Sequence, residues 1–110
     1  MATQQQTVDF IIEQVSTAGV IRSRKLFGEY ALYCNEKVVA FICDDQLFIK
    51  PTHAGRSFIS TPHEAAPYRG AKLYFQIPQE RWDDYEWLTQ LVRITADTRP
   101  MPQSKRTKRT

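Results

Sequence analysis

Residues 24–50 read RKLFGEYALYCNEKVVAFICDDQLFIK and carry the clearest structural pattern in the chain. Short runs of aliphatic and aromatic residues alternate there with the pairs Asn35-Glu36 and Asp44-Asp45. Two-residue breaks of this kind between β-rich runs are typical of hairpin turns. We therefore predict a meander of three antiparallel strands over 31–34, 37–43 and 46–50.

Alternate residues of each predicted strand project to opposite faces of the sheet. Both faces are rich in apolar side chains, and a large exposed apolar face is unfavourable in a monomer. We expect helices to cover one face, and a further layer or a second subunit to cover the other. The expected sets are Leu32, Val39 and Phe41 on one face, and Tyr33, Val38 and Ile42 on the other.

A helical pattern precedes the strands. After Thr7, which is suited to cap a helix, apolar residues recur at positions i, i+3, i+4 and i+7. Gly19 is suited to end this helix in a left-handed conformation. Beyond the strands, Thr52 is expected to cap a short middle helix that reaches Phe58 or Ile59. The expected buried stripe of the first helix is Val8, Ile11, Ile12 and Val15.

The last third of the chain predicts a loop, a strand and a helix. Residues 60–70 contain two prolines and a glycine and are interpreted as an ordered loop or crossover. Residues 71–77 alternate, with Leu73, Phe75 and Ile77 facing one way. A final helix is expected to begin between residues 80 and 84 and to end before Pro100. Its expected buried residues are Leu88, Leu91, Val92 and Thr95, with Trp82 and Trp87 beside them.

This order of elements predicts an α+β fold. The expected architecture is an antiparallel sheet of about four to five strands, with helices at both termini and a short helix in the middle. Residues 1–98 are expected to form a single domain, and residues 99–110 a basic, disordered tail. The tail carries five cations and no acid, which leaves ten basic against twelve acidic residues in the rest of the chain. The net charge of +3 therefore originates in the tail.

Two basic regions are candidate contact sites. Arg22, Arg24 and Lys25 precede the first predicted strand, close to Tyr30. Cations interleaved with aromatic rings can bind single-stranded nucleic acid, although such cations are also common as solvated groups at a sheet edge. The tail allows the same two interpretations, a solubilising end or a nucleic-acid contact. Its candidate residues are Lys105, Arg106, Lys108 and Arg109.

Reactive chemistry is not predicted. Cys34 and Cys43 are expected to share a sheet face about 20 Å apart, too far for a disulfide, and to be buried free thiols. His53 and His63 lie near prolines without further ligands at metal-binding spacing. We expect no catalytic, cofactor-binding or metal site, and therefore no enzyme. A small-molecule site or an enzyme on the sheet face is the least favoured alternative.

The amino-terminal residues lack the basic and apolar segments of a secretory signal. No apolar run approaches the roughly 20 residues that cross a bilayer. We therefore expect a cytoplasmic protein without a membrane partner.

Three segments, residues 24–33, 44–51 and 82–88, resemble the N-terminal domain family of the TfoX/Sxy competence regulators. Order and spacing agree over about residues 7–98. The resemblance implies a compact α+β fold related to secretion-chaperone-like folds, which often associate as dimers. It also implies a family without established catalytic residues. Longer members carry a further C-terminal helical domain and regulate DNA-uptake genes with another transcription factor, so a standalone domain of this type is expected here.

We therefore expect a small non-enzymatic regulatory or adaptor domain that acts through protein–protein contacts in the regulation of competence-like genes. The expected partner is another protein, such as a transcription factor, or a second copy of the chain in a homodimer. The alternative is an accessory protein that binds nucleic acid through the basic tail. No cofactor is expected.

Overall fold

The computed structural model describes residues 3–97 and shows an α+β fold, as the sequence predicted. Six strands form one antiparallel sheet, more than the four to five expected. A short 3₁₀ turn over Gln79–Arg81 precedes the last helix. Within residues 3–97, no helix is both long and apolar enough to span a membrane. The elements are α1 (Gln5–Gln14), β1 (Ile21–Leu26), β2 (Glu29–Cys34), β3 (Lys37–Cys43), β4 (Gln46–Ile49), α2 (His53–Ile59), β5 (His63–Ala65), β6 (Tyr74–Ile77) and α3 (Tyr85–Asp97).

The strands lie in the order β1-β2-β3-β4-β6-β5, so β1 and β5 are the two edges of the sheet. Two-residue turns connect the first four strands, and both residues of each turn have positive φ. Turns of this mirror-image type match the right-handed twist of paired strands. The predicted turns at Asn35-Glu36 and Asp44-Asp45 are confirmed. A third turn, at Phe27-Gly28, makes residues 21–26 a strand of their own, which the sequence pattern did not indicate.

At the opposite edge, the interpretation of residues 60–70 as a loop is wrong in part, because residues 63–65 form β5 and pair with β6. The segment has little intrinsic preference for a strand, so its conformation depends on this pairing. An ion pair of 2.6 Å between Arg56 of α2 and Glu64 also holds it in place. The strand predicted over 71–77 is shorter than expected, and Leu73 lies outside β6 and is largely exposed.

The three helices cover one face of the sheet. The predicted stripes of α1 and α3 pack there against alternate residues of β2, β3, β4 and β6. Trp82 is buried beside α3 and donates from Nε1 to the Ile77 carbonyl at 3.1 Å. Thr52 caps α2 as predicted, since its hydroxyl accepts from the Gly55 amide at 2.9 Å. No helix within residues 3–97 lies on the opposite face, which is called the open face below.

The first helix differs from its prediction at both ends. It spans Gln5–Gln14, so Thr7 lies within its first turn rather than at the cap, and the helix ends well before Gly19. Gly19 does not have positive φ. A Cβ at Gly19 would lie only 2.7 Å from Asn35 Oδ1 and 2.9 Å from Cys34 Sγ. The glycine therefore allows a close approach to the β2–β3 turn.

A β-bulge in β3 changes the predicted assignment of faces. Leu32 pairs with Ala40, whereas the next residue of β2 pairs with Val38, so Val39 is an extra residue in the ladder. Val39 and Ala40 both lie in the core, and every residue beyond them is displaced by one position. Phe41 consequently lies on the open face, and Ile42 lies under the helices, which reverses their predicted positions.

Candidate partner-binding site

The first strand is an edge strand, and most of its side chains are exposed to solvent. Leu26 pairs with Glu29 across the two-residue turn. Hydrogen-bonded and non-hydrogen-bonded pairs alternate along an antiparallel ladder, so the amide and carbonyl groups of Ser23 and Lys25 point away from β2. Within residues 3–97, no strand pairs with this outer side of β1. The strand therefore offers main-chain donors and acceptors that no other described strand engages.

The three cations of β1 have different environments. Arg22 lies 2.8 Å from the Glu36 carboxylate, and its guanidinium is 4.8 Å from the centre of the Tyr33 ring. The hydrogen bond and the charge of this pair raise the pKa of Arg22 and lower the pKa of Glu36. Arg24 and Lys25 are exposed, and neither has an ion-pair partner in the described part of the chain. As far as the structure describes the chain, two of the three predicted contact residues on β1 thus retain an uncompensated charge.

Phe27 occupies the first position of the β1–β2 turn, with a φ of 51°, and its side chain is fully exposed. The left-handed region costs an L-residue with a large side chain about 1 kcal/mol or more. An exposed ring also gains no hydrophobic stabilisation. Phe27 therefore carries an unfavourable backbone conformation and an exposed apolar ring. A residue that is costly in both respects is a candidate functional residue.

Beside Phe27, the open face contains an apolar groove of about 480 Å³. The bulge in β3 places Phe41 and Cys43 in its wall. Tyr68, from the connection between β5 and β6, lies against Phe41 with ring centroids 5.9 Å apart and ring planes at 72°. A groove of this size can accept a large apolar side chain. The lining residues are Leu26, Phe27, Glu29, Tyr30, Phe41, Cys43 and Tyr68.

The amino-terminal segment supports the turn that carries Phe27. The Thr3 amide donates to the Gly28 carbonyl at 3.1 Å. The Thr3 hydroxyl hydrogen-bonds to the Glu29 carboxylate and accepts from the Asp45 amide at 3.2 Å. These contacts join the β1–β2 turn to the β3–β4 turn and so fix the position of the turn that carries the exposed Phe27 ring.

Both cysteines are buried free thiols, as predicted, but they lie on opposite faces of the sheet and not on one. Cys34 packs under the helices, and its burial raises the pKa of the thiol. Cys43 lines the groove, where burial, followed by the charges of Glu29 and Asp44, raises its pKa to about 11. Thiols with raised pKa values remain protonated at neutral pH and are poor nucleophiles.

The remaining predicted contact residues are Tyr30, which is buried, and four residues of the tail. Tyr30 is only 6 % exposed, and its hydroxyl donates to Gln5 Oε1 at 2.8 Å. Its burial leaves it little area for a partner, although it is one of the residues that line the groove. The tail residues predicted to contact a partner lie outside the described residues: Lys105, Arg106, Lys108 and Arg109.

Of the aromatic residues at this site, the sequence interpretation selected Tyr30 but not Phe27, Phe41 or Tyr68. A signal was present for Phe27, because a residue followed by glycine between two β-rich runs is typical of a two-residue hairpin turn. Phe41 gave no such signal, since its face depends on a bulge that only the pairing of β2 and β3 reveals. Tyr68 lies in a segment that was interpreted as a loop.

The described side chains of the site show no arrangement suited to a metal ion. Within residues 3–97, no three His, Cys, Asp or Glu side chains cluster as a metal site would require. His53 and His63 are exposed and lie on different elements. The elements that do meet at this corner are a free strand edge, two uncompensated cations, an exposed ring and an apolar groove. This combination is suited to the recognition of another polypeptide.

Comparison with known proteins gives two findings. The family model of the TfoX N-terminal domain matches residues 13–98. A protein of Spirochaeta aurantia, described as an uncharacterized 12.7 kDa protein in the trpE 5′ region, is 38 % identical over 108 residues. The matched residues make up 98 % of this chain and 93 % of that protein. The similarity therefore extends over nearly the full length of both chains.

Proposed function

The chain belongs to the TfoX N-terminal domain family, and we propose that it is a small non-enzymatic regulatory or adaptor domain that acts by binding another protein. One observation carries the proposal: the fully exposed ring of Phe27 stands beside the apolar groove, on a turn whose conformation disfavours it. Exposed apolar surface next to a concave apolar site is a common mark of a protein interface. Because longer proteins with this domain regulate competence genes, the proposed role of the chain is in the regulation of competence-like genes.

The chemistry of the groove supports a binding role over a catalytic one. Among the described residues that line it, Glu29 alone carries a carboxylate, which is held by the Thr3 hydroxyl and by the Asp44 amide. Its thiol, that of Cys43, is protonated at neutral pH because its pKa is raised. These two groups are therefore poorly placed to act as a base or a nucleophile. Free thiols also suit a reducing compartment, so the proposal includes a cytoplasmic location.

The partner in this proposal is a different protein, such as a transcription factor, or a second copy of the chain. Light scattering on the purified protein at micromolar concentration separates the two cases. A dimer that Phe27→Asp converts to a monomer would identify the second copy as the partner. A monomer at all concentrations would direct the search to other proteins.

Binding of nucleic acid is the second candidate, favoured by Arg24 and Lys25, which are exposed and have no ion-pair partner among residues 3–97. Affinity for a single-stranded oligonucleotide would then fall steeply with salt, because bound cations displace counterions from the phosphates. Removal of residues 99–110 would weaken this binding. An affinity that truncation leaves unchanged would count against the tail as the contact region.

Photo-cross-linking in the native cell tests the main proposal. A photoreactive phenylalanine analogue at position 27 should give a discrete adduct with one protein. The same analogue at position 85 is the matched control, because Tyr85 is also an exposed aromatic residue but lies in α3. An adduct at position 27 alone is the expected result. No adduct at position 27, or the same adduct at both positions, would contradict the proposal.

A further inference from the structure

We propose that the free edge of β1 accepts an extended, acidic segment of the partner as a seventh strand, with an apolar side chain of that segment at the mouth of the groove. This inference rests on the proposed function and states the chemistry of the partner. Its three components are the main chain of β1, the charges on β1 and the register between β1 and the groove.

The main chain of β1 supplies the hydrogen bonds. Ser23 and Lys25 direct their amide and carbonyl groups away from β2, and no strand within residues 3–97 pairs with them. An extended peptide can satisfy such groups by adding a strand to the sheet. The other edge, β5, has three residues, whereas β1 has six, so β1 supports a longer ladder.

The charges on β1 favour an acidic occupant. Arg24 faces the open side and Lys25 the helical side, and neither charge is compensated in the described part of the chain. An acidic strand would place a carboxylate beside each of them.

The same charges disfavour a second copy of β1 as the added strand. In an antiparallel pair of β1 strands with Ser23 of each copy opposite Lys25 of the other, the two Arg24 side chains, which have no ion-pair partner in the described part of the chain, would face each other. Like charges that face each other across a ladder are destabilising, and edge strands use them to prevent such pairing. The occupant of the edge is therefore a segment of a different sequence.

The register predicts the order of residues in the added strand. In an antiparallel addition, the residue opposite Leu26 lies on the open side, next to Phe27 and the groove, and is apolar. The following residue lies opposite Lys25, and the one after that lies opposite Arg24; both are acidic. The expected segment is thus an apolar residue followed by two acidic residues within an extended run.

A synthetic peptide tests this expectation on the full chain. The probe is a fluorescent octapeptide of Val and Thr with the central sequence Phe-Glu-Glu, and its binding is followed by anisotropy. One control replaces Glu-Glu by Lys-Lys, and a second is N-methylated at the amides that would face β1. We expect both controls to bind at least about tenfold more weakly than the probe, because one loses the charge pairs and the other loses the ladder.

Charge reversal on the protein provides the complementary test. Arg24→Glu should weaken binding of the acidic peptide about tenfold and should strengthen binding of the Lys-Lys peptide. Lys72→Glu is the matched control, because it makes the same change of charge at an exposed position just before β6, away from β1. It should leave both affinities unchanged. Circular dichroism verifies that both variants are folded.

Each other outcome has a defined meaning. Binding that is insensitive to N-methylation or to Arg24→Glu would overturn the proposal. The proposal would also be overturned if the protein bound a single-stranded oligonucleotide but not the peptide, and if Arg24→Glu abolished the oligonucleotide binding. That result would assign the edge of β1 to nucleic acid. Absence of peptide binding together with a position-27 adduct in cells would reject strand addition and leave the proposed function standing. Absence of both would reject the two together.

Discussion

Asp45 Oδ1 accepts a hydrogen bond from the Thr7 hydroxyl at 2.9 Å, although 38 residues separate the two in the chain. The same oxygen accepts from the Gln4 amide at 2.9 Å. The first helix has no side-chain cap from its own flanking residues. The β3–β4 turn therefore caps α1 through a tertiary contact, because Asp45 accepts from the amide of the N-cap residue Gln4 and from the hydroxyl of Thr7 in the first turn.

The contribution of the Asp45 carboxylate to stability can be measured separately from the backbone strain of the turn. Asp44 and Asp45 both have positive φ, so replacement by glycine relieves the backbone at either position. Only Asp45→Gly removes the carboxylate from α1. We expect Asp45→Gly to be less stable than Asp44→Gly by about 1 kcal/mol in urea denaturation. Equal stability of the two variants would show that the carboxylate contributes nothing to α1.

Phe27 should reduce the stability of the fold while it serves binding. Asparagine tolerates the left-handed region better than phenylalanine does, so Phe27→Asn should raise the free energy of unfolding by about 0.5–1 kcal/mol. The same variant should lose binding of the acidic peptide. Urea denaturation and anisotropy measure the two effects on one sample. A variant that is more stable and binds as well as the wild type would show that the exposed ring has no role in recognition.

Gly19 should be intolerant of any side chain. A Cβ there would lie 2.7 Å from Asn35 Oδ1, and this amide oxygen is fixed because it accepts from the Val20 amide at 2.9 Å. We expect Gly19→Ala to lower the free energy of unfolding by about 1–3 kcal/mol, since a packed neighbour must move. The loss should be smaller in an Asn35→Gly background, where part of the collision is absent. An equal loss of unfolding free energy in the two backgrounds would show that the collision with Asn35 is not the cause.

The Cys43 thiol should make stability depend on alkaline pH. Its pKa in the fold is about 11, whereas the ordinary value is 9.0. Between these values the unfolded chain loses a proton that the folded chain keeps, so stability falls as the pH rises through this window. We expect the urea midpoint of the wild type to fall more between about pH 8 and about pH 11 than that of Cys43→Ala. Parallel curves for the two proteins would show that the thiol is not protected by the fold.

The sequence predicted the elements that depend on neighbouring residues. The stripe of α3 and the cap at Thr52 are confirmed because helix periodicity and capping act over a few residues. The turns at Asn35-Glu36 and Asp44-Asp45 are confirmed for the same reason, since a two-residue turn restricts its own residue types. The short strand β5 escaped prediction because only its pairing with β6 makes it a strand.

Of the candidate site, the sequence predicted the charges and one lining residue, Tyr30. Arg24 and Lys25 were identified from composition and order, but the compensation of Arg22 by Glu36 joins residues 14 positions apart. The groove depends on a single extra residue in β3, because side chains in a strand alternate with a period of two and one insertion reverses every later position. Periodicity and turn chemistry are thus encoded locally. The placement of Phe41 and Phe27 in one groove is decided only in the assembled sheet, because the pairing of β2 with β3 determines where the ladder takes up the additional residue.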